Sequence, residues 1–208
     1  MLHSNSHRLA LVVLAAITVY AQAFDGIVTL TSGAHFYKRV VTNANPQTTS
    51  TEQFEVLPGA QTTVFVPPQT EVLINVGFSA ETACYGGDVI DNWCEAAITI
   101  GGTEGHPMAS TYGPDTFAMA STDRGSATAG SWESHAFTRH RCMRNTTNAP
   151  LAVPVAVNWK VTNFAGMPPT FWVDDSALVV EMARGCSESQ APDGGRRGAY
   201  QPPASGQR

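Results

Sequence analysis

The 208-residue chain is poor in basic side chains, with 12 lysines and arginines against 17 aspartates and glutamates and a formal net charge of −5. Its lysines are Lys38 and Lys160, and its one compact basic cluster is Arg139, His140, Arg141 and Arg144. A nucleic-acid binder needs a basic patch to displace counterions along the phosphates, so nucleic acid is not an expected partner. The cluster reads as a solvated strand end.

Catalytic signatures are also missing. The chain has no G-x-S-x-G elbow, H-E-x-x-H, Walker loop, G-x-G-x-x-G or Ser-x-x-Lys. A triad or carboxylate pair assembled from distant strands stays open, but a binding protein is the more economical class. No C-x-x-C pair occurs, which removes the usual zinc spacing. His135 and His140 are five residues apart and point to opposite faces of an ideal strand, so they do not share a metal. With His35 and His106 they read as ordinary surface or core-edge histidines. No internal repeat at a fixed period is present, which disfavours solenoids and propellers.

The apolar segment Leu9 to Ala21, about 13 residues, is shorter than the roughly 20 that a membrane-spanning helix needs. It follows His7 and Arg8 and ends in Ala21-Gln22-Ala23, the three-part pattern of an export signal. The expected organisation is a leader at 1–23, removed on export, one domain at 24–186, and a tail at 187–208. The protein is expected to be secreted or extracellular, or periplasmic in a Gram-negative bacterium, with no stable membrane insertion after cleavage. The tail is rich in Pro, Gly, Ser, Gln and Arg, with Tyr200 its one large apolar side chain, so disorder is expected there.

Four cysteines, Cys84, Cys94, Cys142 and Cys186, lie beyond the leader. An even number in an oxidising compartment reads as two disulfides, with three connectivities open. Cys84 with Cys94 is favoured because nine intervening residues, Gly86-Gly87 among them, make a short flexible loop. That leaves Cys142 for Cys186.

Nearly everywhere the apolar pattern has the period of strands. Val72, Ile74, Val76 and Phe78 alternate with polar neighbours, as do Val153, Val155, Val157, Trp159 and Val161. Weaker runs at 27–32, 35–42, 51–57, 61–66, 94–100, 115–121, 132–143 and 170–183 bring the expectation to about ten strands, with helices absent or short. The fold class is all-β: a two-sheet antiparallel β-sandwich, jelly-roll-like, with a closed barrel as the second reading. Pro154 predicts that its strand lies at an edge or is bulged there. Asp174-Asp175 predicts a bulge in the last long strand.

The segment from Cys84 to Cys94 is the candidate binding loop. A bridge that closes it lowers the entropy lost on ordering. Tyr85 and Trp93 offer flat faces for pyranose C–H groups, and Asp88, Asp91 and Asn92 offer acceptors for hydroxyls. A competing reading packs both rings against the bridge as core. The same oxygens raise calcium, with Asp174 and Asp175 as further donors if the fold brings them near, although the spacing is not that of an EF-hand. No other cofactor is expected.

Function is therefore read first as a non-catalytic recognition module, for surface glycan or another exported protein. A self-assembling coat-like protein is second, and a glycosidase using Glu133 with Asp174 or Asp175 is third. Asn145-Thr146-Thr147 matches the N-glycosylation sequon and is expected in a surface turn if the source is eukaryotic.

Overall fold

The structure is a computed structural model, and it describes residues 26–30, 35–87, 92–107, 117–122, 132–164 and 166–190. The expected leader and residues 191–208 of the tail lie outside these segments, as do Asp88 and Asp91.

The described residues hold twelve strands and no helix: β1 (Gly26–Leu30), β2 (His35–Asn43), β3 (Gln47–Thr49), β4 (Glu55–Val66), β5 (Thr70–Tyr85), β6 (Trp93–Ile100), β7 (Thr103–Glu104), β8 (Phe117–Ser121), β9 (Glu133–Asn145), β10 (Leu151–Thr162), β11 (Thr170–Arg184) and β12 (Cys186–Gln190). One sheet has the order β2-β11-β5-β9, with β3 also paired to β11. The other has the order β4-β10-β6-β7, with β8 also paired to β6. All pairings are antiparallel, and β1 with β12 forms a separate two-stranded ribbon. The two larger sheets stack face to face as a β-sandwich.

Alternation drives this arrangement. Val72, Ile74, Val76 and Phe78 of β5 face Val153, Val155, Val157, Trp159 and Val161 of β10 in one buried cluster. Each such aliphatic or aromatic side chain contributes about 1.5–3 kcal/mol by leaving water. A closed barrel is not formed, because β2 and β4 end their sheets as separate edges.

The two runs expected at 51–57 and 61–66 are one strand, β4, which continues through Pro58-Gly59. Gly59 makes this continuity feasible: its φ is +81°, and a Cβ there would stand 2.6 Å from Asn43 Nδ2. Asn43 in turn donates a hydrogen bond from Nδ2 to the Pro58 carbonyl.

Pro154 corrects the sequence reading. Its strand is interior, between β4 and β6, and the irregularity of the β10–β4 pairing falls between Ala156 and Asn158. Proline is tolerated because β6 ends opposite Val155. The Pro154 carbonyl accepts from Gly101 N at 2.8 Å, so its nitrogen points to the same side, where the neighbouring strand has already turned away. Asp174-Asp175 does interrupt its strand: the β11–β5 register shifts between Asp174 and Ala177, and Asp175 has φ 44°.

Of the expected tail, the structure describes residues 187–190, which belong to a strand. β12 takes in Ser187 to Gln190 and pairs with β1. The anchor is Cys186, bridged to Cys142 of β9.

Candidate functional site

The bridges join Cys84 to Cys94 and Cys142 to Cys186, with Cα atoms 5.8 and 5.9 Å apart. Cys84 is in β5 and Cys94 in β6, and both are buried. The first bridge therefore crosses the sandwich from one sheet to the other. The side chains next to it in the sequence consequently turn outward from opposite sheets.

Tyr85 follows the buried Cys84 and lies against Trp172, with ring centroids 6.4 Å apart. Trp93 precedes the buried Cys94 and meets Phe164 edge to face at 5.1 Å. The rings that the loop was expected to present together thus belong to two different surfaces. Neither packs as core against the bridge, and Trp93 is 45% exposed.

Asn92 is buried at 0% exposure. Its backbone N donates to Thr122 Oγ1 at 3.0 Å, its backbone O accepts from Thr122 N at 3.0 Å, and its side-chain Oδ1 accepts from Phe164 N at 3.1 Å. The amide expected to meet a ligand is instead an internal post that fixes the Phe164 turn beside Trp93. Gly87 packs against the same post: a Cβ there would lie 2.7 Å from Asn92 Nδ2 and 3.0 Å from the Met167 carbonyl. Asp88 and Asp91 lie outside the described residues.

Around Trp93 the structure adds residues that spacing did not reveal. Phe164 is 55% exposed, and Met167 on the same turn is exposed as well. On the outer face of β6 and β10, Glu95 and Lys160 pair at 3.3 Å, and Thr162 donates to Glu95 while accepting from Lys160 Nζ at 2.8 Å. Lys160 also stands over the Phe54 ring, 5.2 Å from its centroid. The only sequence signal for Phe164 and Met167 was two large apolar residues among Asn, Gly and Pro between two strand-like runs.

The other acids are placed apart. Asp174 Oδ1 accepts from Asp175 N at 2.9 Å, the local use expected at a bulge. Glu133 pairs with His135 at 2.9 Å. Glu133 shares the phase of buried Phe137, whereas Asp174 is out of phase with buried Val173, so the two carboxylates leave opposite faces of the sheet. Among the described residues no three His, Cys, Asp or Glu side chains converge as a metal set. His106 and His140 pair through their backbones, with rings 5.9 Å apart.

Asn145 corrects the surface-turn expectation for the sequon. It is 2% exposed. Its Nδ2 donates to the carbonyls of Val66 and Ala149, and its Oδ1 accepts from Thr147 N and Thr147 Oγ1. An Asx turn with every side-chain lone pair and proton engaged leaves no nitrogen for a glycan in the folded protein.

No helix among the described residues is long and apolar enough to cross a membrane. No protein-family model and no curated protein matches the chain. Solved structures that match the chain weakly include the EclA C-terminal domain, described as a sugar-binding protein, at 13% identity over 69% of this chain and 79% of that one, with TM-score 0.30. Dimeric latent PorU from Porphyromonas gingivalis is 12% identical over 78% of this chain and 14% of that one, with TM-score 0.33. The infectious bursal disease virus Gt strain structure is 14% identical over 71% of this chain and 32% of that one, with TM-score 0.31. Likenesses at this level carry no assignment of function.

Proposed function

We propose that the protein is an exported, non-catalytic recognition module that binds glycan at the end of the sandwich carrying Trp93 and Phe164. The observation that supports this most directly is the exposed edge-to-face pair of these two rings, fixed from beneath by buried Asn92 and from the side by the Cys84–Cys94 bridge. Two aromatic faces held at 83° to one another suit the C–H faces of a sugar, and their fixed support lowers the ordering cost of binding. Asp88 and Asp91, between the two bridged cysteines in the sequence, are the proposed acceptors for hydroxyls.

The strand order supports a jelly-roll reading of the sandwich, since β2-β11-β5-β9 stacks on β4-β10-β6-β8. The test is a glycan-array screen of the mature chain, with and without calcium, followed by titration of the best hit against Trp93→Ala and Phe164→Ala. Loss of binding in both variants at unchanged thermal midpoint supports the site. Full binding by Trp93→Ala refutes it.

Self-assembly is the second reading, supported by exposed Val40 on β2 and Phe65 on β4, the terminal strands of the two sheets. Apolar side chains on unpaired edge strands invite pairing with another copy. Light scattering behind a sizing column separates the two: a closed oligomer supports assembly, and a monomer at high concentration excludes it.

A further inference from the structure

The outer face of the other sheet carries a second, independent constellation. Trp172 of β11 lies opposite Ala83 of β5, and Trp132 immediately precedes β9 on the far side of the same strand. The two indoles meet edge to face over the small Ala83, with centroids 5.5 Å apart at 86°, and Tyr85 extends the wall from the next outward position of β5. Trp132 is 44% exposed.

One row further along the sheet, Ser134, Glu81 and Asp174 stand side by side on β9, β5 and β11. An open hollow of about 340 Å³ lies here, lined by Ser79, Glu81, Ser134, His135, Ala136 and Asp175. Glu81 and Asp174 are directly opposed across two strands, an arrangement that costs stability between like charges. Among the described residues, neither they nor Asp175 joins an ion pair, and the His135 imidazole beside Ser134 is engaged by Glu133.

We propose that this hollow receives the basic side chain of an extended peptide, arginine above all. Glu81 and Asp175 in the lining and Asp174 beside it have no counter-charge among the described residues, and the ring faces one row along, whose quadrupoles are negative, also favour a cation here. A neutral sugar would leave the opposed carboxylates uncompensated. The volume lies at the small end of ligand sites and suits one side chain. Because the hollow is open, a free small cation would keep much of its water. A peptide backbone laid across Trp132 and Trp172 supplies the missing contacts.

The experiment is isothermal titration of the full mature chain with acetyl-tetraarginine amide, with acetyl-tetraglutamine amide and with agmatine. Saturable binding of the arginine peptide is expected, weaker at high salt, with agmatine at least about ten-fold weaker and the glutamine peptide silent. Glu81→Gln and Trp132→Ala should each weaken the arginine peptide about ten-fold, while Trp93→Ala leaves it unchanged. Glu81→Gln should also keep or raise the thermal midpoint, because it removes the like-charge opposition. Absent or salt-insensitive binding, equal binding by the glutamine peptide or agmatine, full affinity in Glu81→Gln, sensitivity to Trp93→Ala, or a lowered midpoint in Glu81→Gln would each overturn the proposal.

Discussion

Cys84 and Cys94 stand with their Cα atoms 5.8 Å apart inside the core, one on each sheet, so a bridge between near neighbours in sequence is also a tie across the sandwich. The nine residues between them have to climb from one sheet to the other, and the aromatic residues at the ends of that climb face away from each other.

Replacing both cysteines by alanine therefore removes a tie between layers. Restricting a loop of this size in the unfolded chain is worth about 2 to 3 kcal/mol. Chemical denaturation of Cys84→Ala/Cys94→Ala should show that loss, and glycan affinity should fall as well because Asn92 and the Phe164 turn lose their anchor. Replacing Cys142 and Cys186, which close a longer loop, should cost roughly 4 kcal/mol. It should leave the Trp93 surface unaffected.

Gly86 and Gly87 separate backbone strain from crowding. Both have positive φ, 77° and 81°. A Cβ on Gly86 meets nothing within 4 Å, whereas one on Gly87 runs into Asn92 and two backbone atoms. Gly86→Ala should cost about 1 kcal/mol, the conformational penalty alone. Gly87→Ala should cost about 2–3 kcal/mol, with overpacking added. Thermal melts of the two variants check the order, and equal losses would show that the Asn92 post yields freely.

These glycines were legible as turn residues, but what they pack against was not. The sandwich itself was readable because Val153 to Val161 and Val72 to Phe78 alternate strictly, and alternation is a local property. The pairing of Trp132 with Trp172 was invisible because it depends on β9 and β11 flanking β5, a matter of strand order. Nearness in sequence also misled: Tyr85 and Trp93 looked like one site because the loop between them is short, yet the bridge that shortens it spans the core. Pro154 was misread for a related reason, since its tolerance rests on where β6 stops, some fifty residues away.

Asn145 holds four hydrogen bonds at 2% exposure, which makes it the lock of the β9–β10 turn. Asn145→Ala should lower stability by about 2–3 kcal/mol, since the carbonyl of buried Val66 loses its donor and the turn loses the bonds to Ala149 and Thr147. Asn145→Asp should also destabilise, because a carboxylate cannot donate to those carbonyls. Intact mass of folded protein secreted from a glycosylating host should show no glycan on Asn145. A modified, folded protein with an unchanged melt would contradict the buried geometry.

Glu95 and Lys160 face each other on β6 and β10, with side chains only 7% and 17% exposed, and both touch the Thr162 hydroxyl. Trp93 is two residues from Glu95 along β6 and directly opposite Thr162 on β10, so this network is the floor beneath the proposed glycan surface. Breaking a buried pair from one side strands the remaining charge: Glu95→Gln or Lys160→Met should each cost about 3 kcal/mol. The double variant removes both charges, and its cost should fall well below the sum of the two. That shortfall measures the coupling in a double-mutant cycle by denaturant unfolding. Additive losses would mean that Thr162 and Phe54, rather than the pair, support this face. Glycan affinity of the double variant then decides the second question: retained binding assigns the pair to the floor alone, while lost binding at recovered stability places Lys160 among the groups that touch the sugar.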